Sequence, residues 1–171
     1  MANFEKAFEK VLKFEGGYVN DPVDRGGETN WGITKKVARN AGYRGEMKDL
    51  TVEDAKKIYR QNYWSIIKLD QIKDDSIAIK AFDIAVNMGT GTAIRLLQKA
   101  YNILNQETIT VDGIVGPQTL SAINNYKHKK DLFHLLNVLQ ARRYIKIVEN
   151  DESQKRFIRG WLKRTQMKIE E

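Results

Sequence analysis

Apolar residues at Phe4, Ala7, Phe8, Val11 and Leu12 recur at the spacing of one helical face, behind Asn3, a good N-cap. Gly16 and Gly17 then interrupt the pattern, so the spacing predicts a first helix from about Phe4 to Glu15. From Gly16 to Gly32 the chain reads GGYVNDPVDRGGETNWG, dense in turn formers and polar groups, which predicts a loop or small β-ribbon. A short helix is expected around Lys35 to Asn40. Thr51 to Asp54 has the form of a capping box, opening a helix with apolar positions at Val52, Ala55, Ile58, Tyr59 and Tyr63.

Ser76 to Met88 is rich in Ile, Ala, Phe and Val, so this helix is expected to be central and buried on most sides, ended by Gly89 and Gly91. An amphipathic helix from about Thr92 to Asn105 leads through VDGIVGPQT to a helix begun by Pro117, with Gln118 to Asn124 as its body. Two basic amphipathic helices, Asp131 to about Asn150 and Ser153 to about Met167, complete the chain. The resulting expectation is a mainly α fold with one polar excursion after helix one. We expect residues 1–91 and 92–171 to form two regions packed as one compact body.

The 171 residues are enough for a sizeable core, and 42% apolar with 30% charged residues is globular composition. The absence of cysteine removes disulfides and thiol chemistry, and two histidines without thiols argue against a structural zinc site, so no metal or cofactor is expected. Glu5, Lys6, Glu9 and Lys10 break up the N-terminal apolar residues, so neither a signal peptide nor a membrane span is expected. A formal charge of +7 favours a polyanionic partner: nucleic acid, anionic lipid or the acidic bacterial envelope.

Glu15 follows Phe4 by eleven residues and Phe8 by seven, which puts its carboxylate beside the apolar stripe of helix one. Partial desolvation, the negative helix end and the carboxylates of the next loop are all expected to raise its pKa, making it a candidate general acid. Glycoside hydrolysis needs such an acid and a second group to steer water or stabilise positive charge, and Asp21, Asp24, Glu28 and Thr29 are the supply. Spacing alone equally allows Glu15 to be a helix-end residue and the others to be turn formers. Trp31, between Asn30 and Gly32, suits either a sugar-stacking subsite or an anchor for the ribbon.

The stretch EGGYVNDPVDRGGETNWGIT, Glu15 to Thr34, resembles the signature of glycoside hydrolase family 108, phage-type N-acetylmuramidases. The resemblance implies a lysozyme-like helical domain and assigns the catalytic acid to Glu15, followed by Gly16, Gly17 and Tyr18. The spacing of Glu15, Asp24 and Thr29 is also similar to the glutamate, aspartate and threonine set of other phage lysozymes, which implies that Asp24 and Thr29 position water or the sugar cation. Asn20, Asp21 and Pro22 belong to the same signature, and Asp21 is the fallback catalytic residue, although proline restricts it to extended geometry that suits a turn. FDIAVNMG, Phe82 to Gly89, resembles the second helix motif of this lysozyme group, in which Asn87 faces the cleft; a helix C-cap is the other reading of Asn87. Tyr18, Asn30, Trp31 and Asn87 are thus the candidate substrate-binding residues.

Leu96 to Asn124 resembles a peptidoglycan-binding module through Leu97, Gln98, Asp112, Gly113, Gly116, Pro117 and Thr119, of which the glycines, Asp112 and Pro117 also suit tight turns and a helix start. The two resemblances imply hydrolysis of the β-1,4 bond between N-acetylmuramic acid and N-acetylglucosamine in peptidoglycan strands. They suit a phage or prophage endolysin, monomeric, cytoplasmic until a holin releases it to the periplasm or cell wall. The alternative they leave open is a catalytically weak or inactive wall-binding or secretion-associated protein. The basic run Arg142, Arg143, Lys146, Lys155, Arg156, Arg159, Lys163 and Arg164 suits steering onto phosphates or a solvated helix face. No nucleic-acid-binding motif accompanies it, so no specific nucleic-acid partner is expected.

Overall fold

A computed structural model describes residues 2–20 and 27–169. Its first helix, α1 (Phe4–Leu12), starts where the side chain of Asn3 accepts hydrogen bonds from the backbone of Glu5 and Lys6. Phe4, Ala7, Phe8 and Val11 are its buried face. The helix ends three residues before Glu15: Phe14 and Glu15 donate to the carbonyls of Val11 and Leu12, so the last turn tightens to i→i+3 bonds ahead of Gly16. Glu15 therefore sits on a turn and is not part of the helix.

The polar excursion holds a two-stranded antiparallel ribbon, β1 (Thr29–Asn30) and β2 (Ile33–Thr34), in register Thr29↔Thr34 and Asn30↔Ile33. Trp31 and Gly32 form the two-residue connection, with φ of 52° and 73°. Positive φ at both positions is the geometry of a type I′ turn, which suits the right-handed twist of the flanking strands. Glycine adopts it freely, whereas tryptophan must be held there. Its indole Nε1 donates to the carbonyl of Leu50 at 2.9 Å, and its own carbonyl accepts from the Tyr59 hydroxyl at 2.9 Å.

Helix α2 (Lys35–Asn40) is capped by Thr34, and α3 (Val52–Tyr59) opens with the reciprocal Thr51–Asp54 capping box. A wide π-helical stretch, Arg60–Ser65, continues α3 and buries Trp64. Helix α4 (Asp75–Met88) is buried from Ser76 through Ala85 and packs against α1, α5 (Thr90–Leu104) and α7 (Lys129–Asn150). Only Gly89, at φ 89°, separates α4 from α5, so the second of these helices begins two residues earlier than its apolar pattern indicates. Helix α6 (Pro117–Asn125) carries proline at its first turn, and α8 (Lys155–Arg164) folds back on α7 after a 3-10 turn over Glu152–Gln154.

A single set of buried side chains runs from Phe4 to Leu136. Its centre is aromatic: Phe4 lies 5.5 Å from Trp64 and 5.8 Å from Phe82 in edge-to-face geometry, and Phe8 lies 5.7 Å from Tyr59. Each such ring contributes roughly 1.5–3 kcal/mol through burial, and together they clamp α1 between α3 and α4. That clamp fixes where the turn after α1, with Glu15, emerges.

Candidate functional site

The Glu15 side chain is 15% exposed, and its Oε1 accepts a hydrogen bond of 2.6 Å from Nη2 of Arg164, the last residue of α8. The other face of the same guanidinium donates from Nη1 to Oδ1 of Asp83 at 2.7 Å. Asp83 is fully buried on α4 and lies 3.6 Å from Lys80, one turn earlier and equally buried. Lys80 Nζ in turn donates to Gln140 Oε1 on α7 and to the backbone carbonyl of Arg164. Two cations and two carboxylates thus alternate along one chain of contacts from the core to the surface, each neutralised by its neighbours.

Burial pushes the Lys80 ammonium down to about 8, against the opposing pull of Asp83. For Arg164 burial also works against the charge, but Asp83 and Glu15 outweigh it and hold the guanidinium firmly protonated. On its other side Glu15 meets the ribbon. A Cβ on Gly32 would overlap the Glu15 carboxylate and crowd the Tyr59 hydroxyl, so the ribbon approaches this closely only because residue 32 is glycine. Burial, with the negative charge of Glu15 adding, raises the pKa of the hydroxyls of Tyr59 and Tyr63. The carboxyl is therefore set between a fixed guanidinium and two neutral phenols, where the sequence pattern pointed to an apolar stripe and neighbouring carboxylates.

The remaining candidates are placed as follows. Thr29 is half-buried on β1, its backbone exchanging hydrogen bonds of 2.9 Å with Val19. Asp21 and Asp24 lie outside the described residues. Tyr18 is exposed, and its hydroxyl donates to Glu28, which raises the tyrosine pKa. Glu28 is held below the usual glutamate range, first by the hydrogen bond from Lys35 and then by that from Tyr18. Asn30 is buried, its amide donating to the Met47 carbonyl at 2.8 Å, so it ties the ribbon to the following 3-10 turn and is not presented to a ligand. Trp31 is half-buried with its N–H committed, which leaves part of its ring as contact surface. Asn87 lies inside α4, whose C-cap is Gly89, and accepts from the Tyr144 hydroxyl at 2.6 Å.

Gln98 and Asp112 form a second polar cluster: the buried Gln98 amide donates to Asp112, to the Ile114 carbonyl and to Thr119, and its oxygen accepts from the backbone of Gly113. These motif residues knot the loop before α6 and are satisfied within the fold. The site residues that sequence reasoning missed are Asp83, Lys80, Gln140 and, as a partner of Glu15, Arg164. Lys80 and Asp83 carried a usable signal, because two opposite charges one turn apart on an otherwise apolar, central helix must be buried and paired. Arg164 carried none, since it lies within a basic run and 149 residues from Glu15.

Among the described residues no group of His, Cys, Asp and Glu is placed to hold a metal ion, and no helix is long and apolar enough to cross a membrane. Compared with known families, residues 8–89 match the glycosyl hydrolase 108 family model, and residues 92–166 match the model described as a predicted peptidoglycan domain. No curated protein matches the chain. Among solved structures it is similar to SagA of Brucella abortus, with 29% identity and a TM-score of 0.76 over 95% of this chain and 89% of that one.

Proposed function

We propose that this chain, whose residues 8–89 match the glycosyl hydrolase 108 family model, is a lysozyme of that family, cleaving the β-1,4 bond between N-acetylmuramic acid and N-acetylglucosamine. It is a glycoside hydrolase by family, and its second matched region supports peptidoglycan as the polymer. The observation that carries the finer reading is Glu15: a carboxyl on the first tight turn, mostly buried yet reachable, gripped by Arg164 and pressed against Gly32. In the proposed mechanism Glu15 protonates the leaving glycosidic oxygen while water attacks C1. Thr29, on the strand that precedes Trp31 and Gly32, and Asp24 are the groups proposed to guide that water. The exposed part of Trp31 offers an apolar face to a sugar ring.

Arg164 serves this chemistry by orientation. A guanidinium bonded to two carboxylates through separate edges fixes the plane of the Glu15 carboxyl relative to the ribbon. A proton donor held in one orientation needs less reorganisation when the sugar oxygen arrives. We place the enzyme in a phage or prophage endolysin setting, reaching the wall through a holin.

Glu15→Gln tests the assignment. Removing the proton donor while keeping the shape is expected to lower the rate of clearing of purified cell walls by ~100-fold or more, with an unchanged circular dichroism spectrum. Lysis near the wild-type rate would remove Glu15 from the role. Wall binding by the unmodified chain without release of new reducing ends would favour the non-catalytic reading instead, and mass spectrometry of released muropeptides would identify the bond cut.

A further inference from the structure

Beside Glu15, an open cleft of about 510 Å³ lies between the end of α1, the end of α4 and one face of α8. Lys13, Asn87, Arg156, Phe157, Trp161 and Lys163 line it, and Phe14 and Arg164 form its border with Glu15. None of its lining side chains is acidic. Arg164 is consumed by Glu15 and Asp83, whereas Lys13, Arg156 and Lys163 are exposed and have no ion-pair partner among the described residues.

Of the aromatic side chains here, Tyr144 is buried and Trp161 half-buried, whereas Phe14 and Phe157 are exposed. Tyr144, Trp161 and Phe157 stack in a column, with centroids 5.3 Å and 5.8 Å apart and planes within 24° of parallel. The Arg156 guanidinium closes the column, 4.6 Å from the Phe157 centroid. At its inner end the Tyr144 hydroxyl is bonded to Asn87 and Gln140. An arginine held over a ring can keep donors free and loses less freedom when it forks onto a carboxylate. Lys163 lies two helical turns further along the same face, and Lys13 faces them from the turn after α1.

We propose that this cleft is a subsite for the carboxylate-bearing stem peptide of the peptidoglycan strand whose glycosidic bond lies at Glu15. The inference rests on the lysozyme reading, in which each N-acetylmuramic acid carries a short peptide with free carboxylates beside the bond to be cut. A three-cation cleft one residue from the proton donor meets that charge as the sugar settles. Anionic lipid is the other source of negative charge, but Trp161, the largest ring of α8, is half-buried with Tyr144 and Phe157 stacked on it, which leaves Phe157 as the one exposed ring of that helix. An interfacial helix needs such rings free to enter the bilayer.

The test uses the full chain carrying Glu15→Gln, so that strands are bound and not cut. Its affinity is measured for soluble peptide-bearing glycan strands, for the same strands after an amidase has removed the peptides, and for phosphatidylglycerol vesicles. The comparison is with the same chain carrying Arg156→Gln and Lys163→Gln as well, its fold checked by thermal denaturation. The expected result is a preference for peptide-bearing strands that falls about tenfold in the triple variant, the size given by losing two exposed charge pairs. Equal binding of both kinds of strand by the parent, or an unchanged preference in the variant, overturns the subsite. So does loss of vesicle binding with strand preference intact. Turnover by the chain with Glu15 restored separates the two readings. Cleavage without peptide preference sinks only the subsite, and preference without cleavage sinks only the lysozyme assignment.

Discussion

Gly32 is the residue on which the geometry around Glu15 turns. It is required twice, once for a φ of 73° in the ribbon turn and once because any Cβ would occupy the space of the Glu15 carboxylate. Gly32→Ala is therefore expected to cost about 1–3 kcal/mol of stability from backbone strain alone. Because the methyl also displaces the carboxyl, wall-clearing activity should fall further than the stability loss explains, as denaturant titration and turbidity run side by side would reveal. Activity at the wild-type level in a folded Gly32→Ala chain would show that the carboxyl is free to move. Trp31 and Asn30 give the complementary lesson. By chemistry either residue is a candidate sugar contact, but their N–H donors are committed to carbonyls of Met47 and Leu50, seventeen and nineteen residues away, which buries Asn30 and leaves only part of the Trp31 ring as contact surface.

Among the elements, α4 departs most from what its composition suggests. Its apolar run places it at the centre, yet it carries Lys80 and Asp83 into the core as well. The lysine has its pKa lowered on folding, from the 10.5 of a free side chain to about 8. Between those values the unfolded chain binds more protons than the folded one, so this group's contribution makes stability rise as pH increases from about 8 towards 10.5, and it is unfavourable and constant below that window. Melting temperatures of the wild type and Lys80→Met across pH 7 to about 10 isolate the effect: the difference should move in favour of the wild type as pH rises. A difference independent of pH would mean that Lys80 is not desolvated. The boundaries of α1 illustrate a further limit. Its apolar stripe and N-cap are readable, but the tightening after Leu12 depends on how the chain leaves for the ribbon, so Glu15 lies beyond the helix and not at its last position.

Taken as a whole, the molecule joins its two ends at the candidate site. Arg164, at the end of the last helix, holds Glu15, on the first turn, through a pair that spans 149 residues. Two consequences follow for mutation. Arg164→Met removes the closer of the two cations paired with the buried Asp83 and frees the Glu15 carboxyl at the same time; with Lys80 still in place the cost is expected to stay below the roughly 3–5 kcal/mol of an uncompensated buried charge. Adding Asp83→Asn leaves the buried Lys80 without a carboxylate partner, so the double variant is expected to be no more stable than Arg164→Met, with activity low in both. Regained stability in the double variant would mean that Lys80 does not depend on Asp83, and wall clearing at the wild-type rate by Arg164→Met would mean that Arg164 does not position Glu15.

The periodicities and caps of this sequence were sufficient to locate the eight α-helices and the polar ribbon, though not the turn that carries Glu15, because each located element depends on neighbours within a few residues. Its motif makes Glu15 the candidate acid by resemblance, since the signature is contiguous from Glu15 to Thr34. The partners of that carboxyl were decided only in three dimensions. Lys80, Asp83, Gln140 and Arg164 come from three helices, and which charges end up facing one another depends on the packing of α4, α7 and α8, a long-range arrangement that no local pattern encodes.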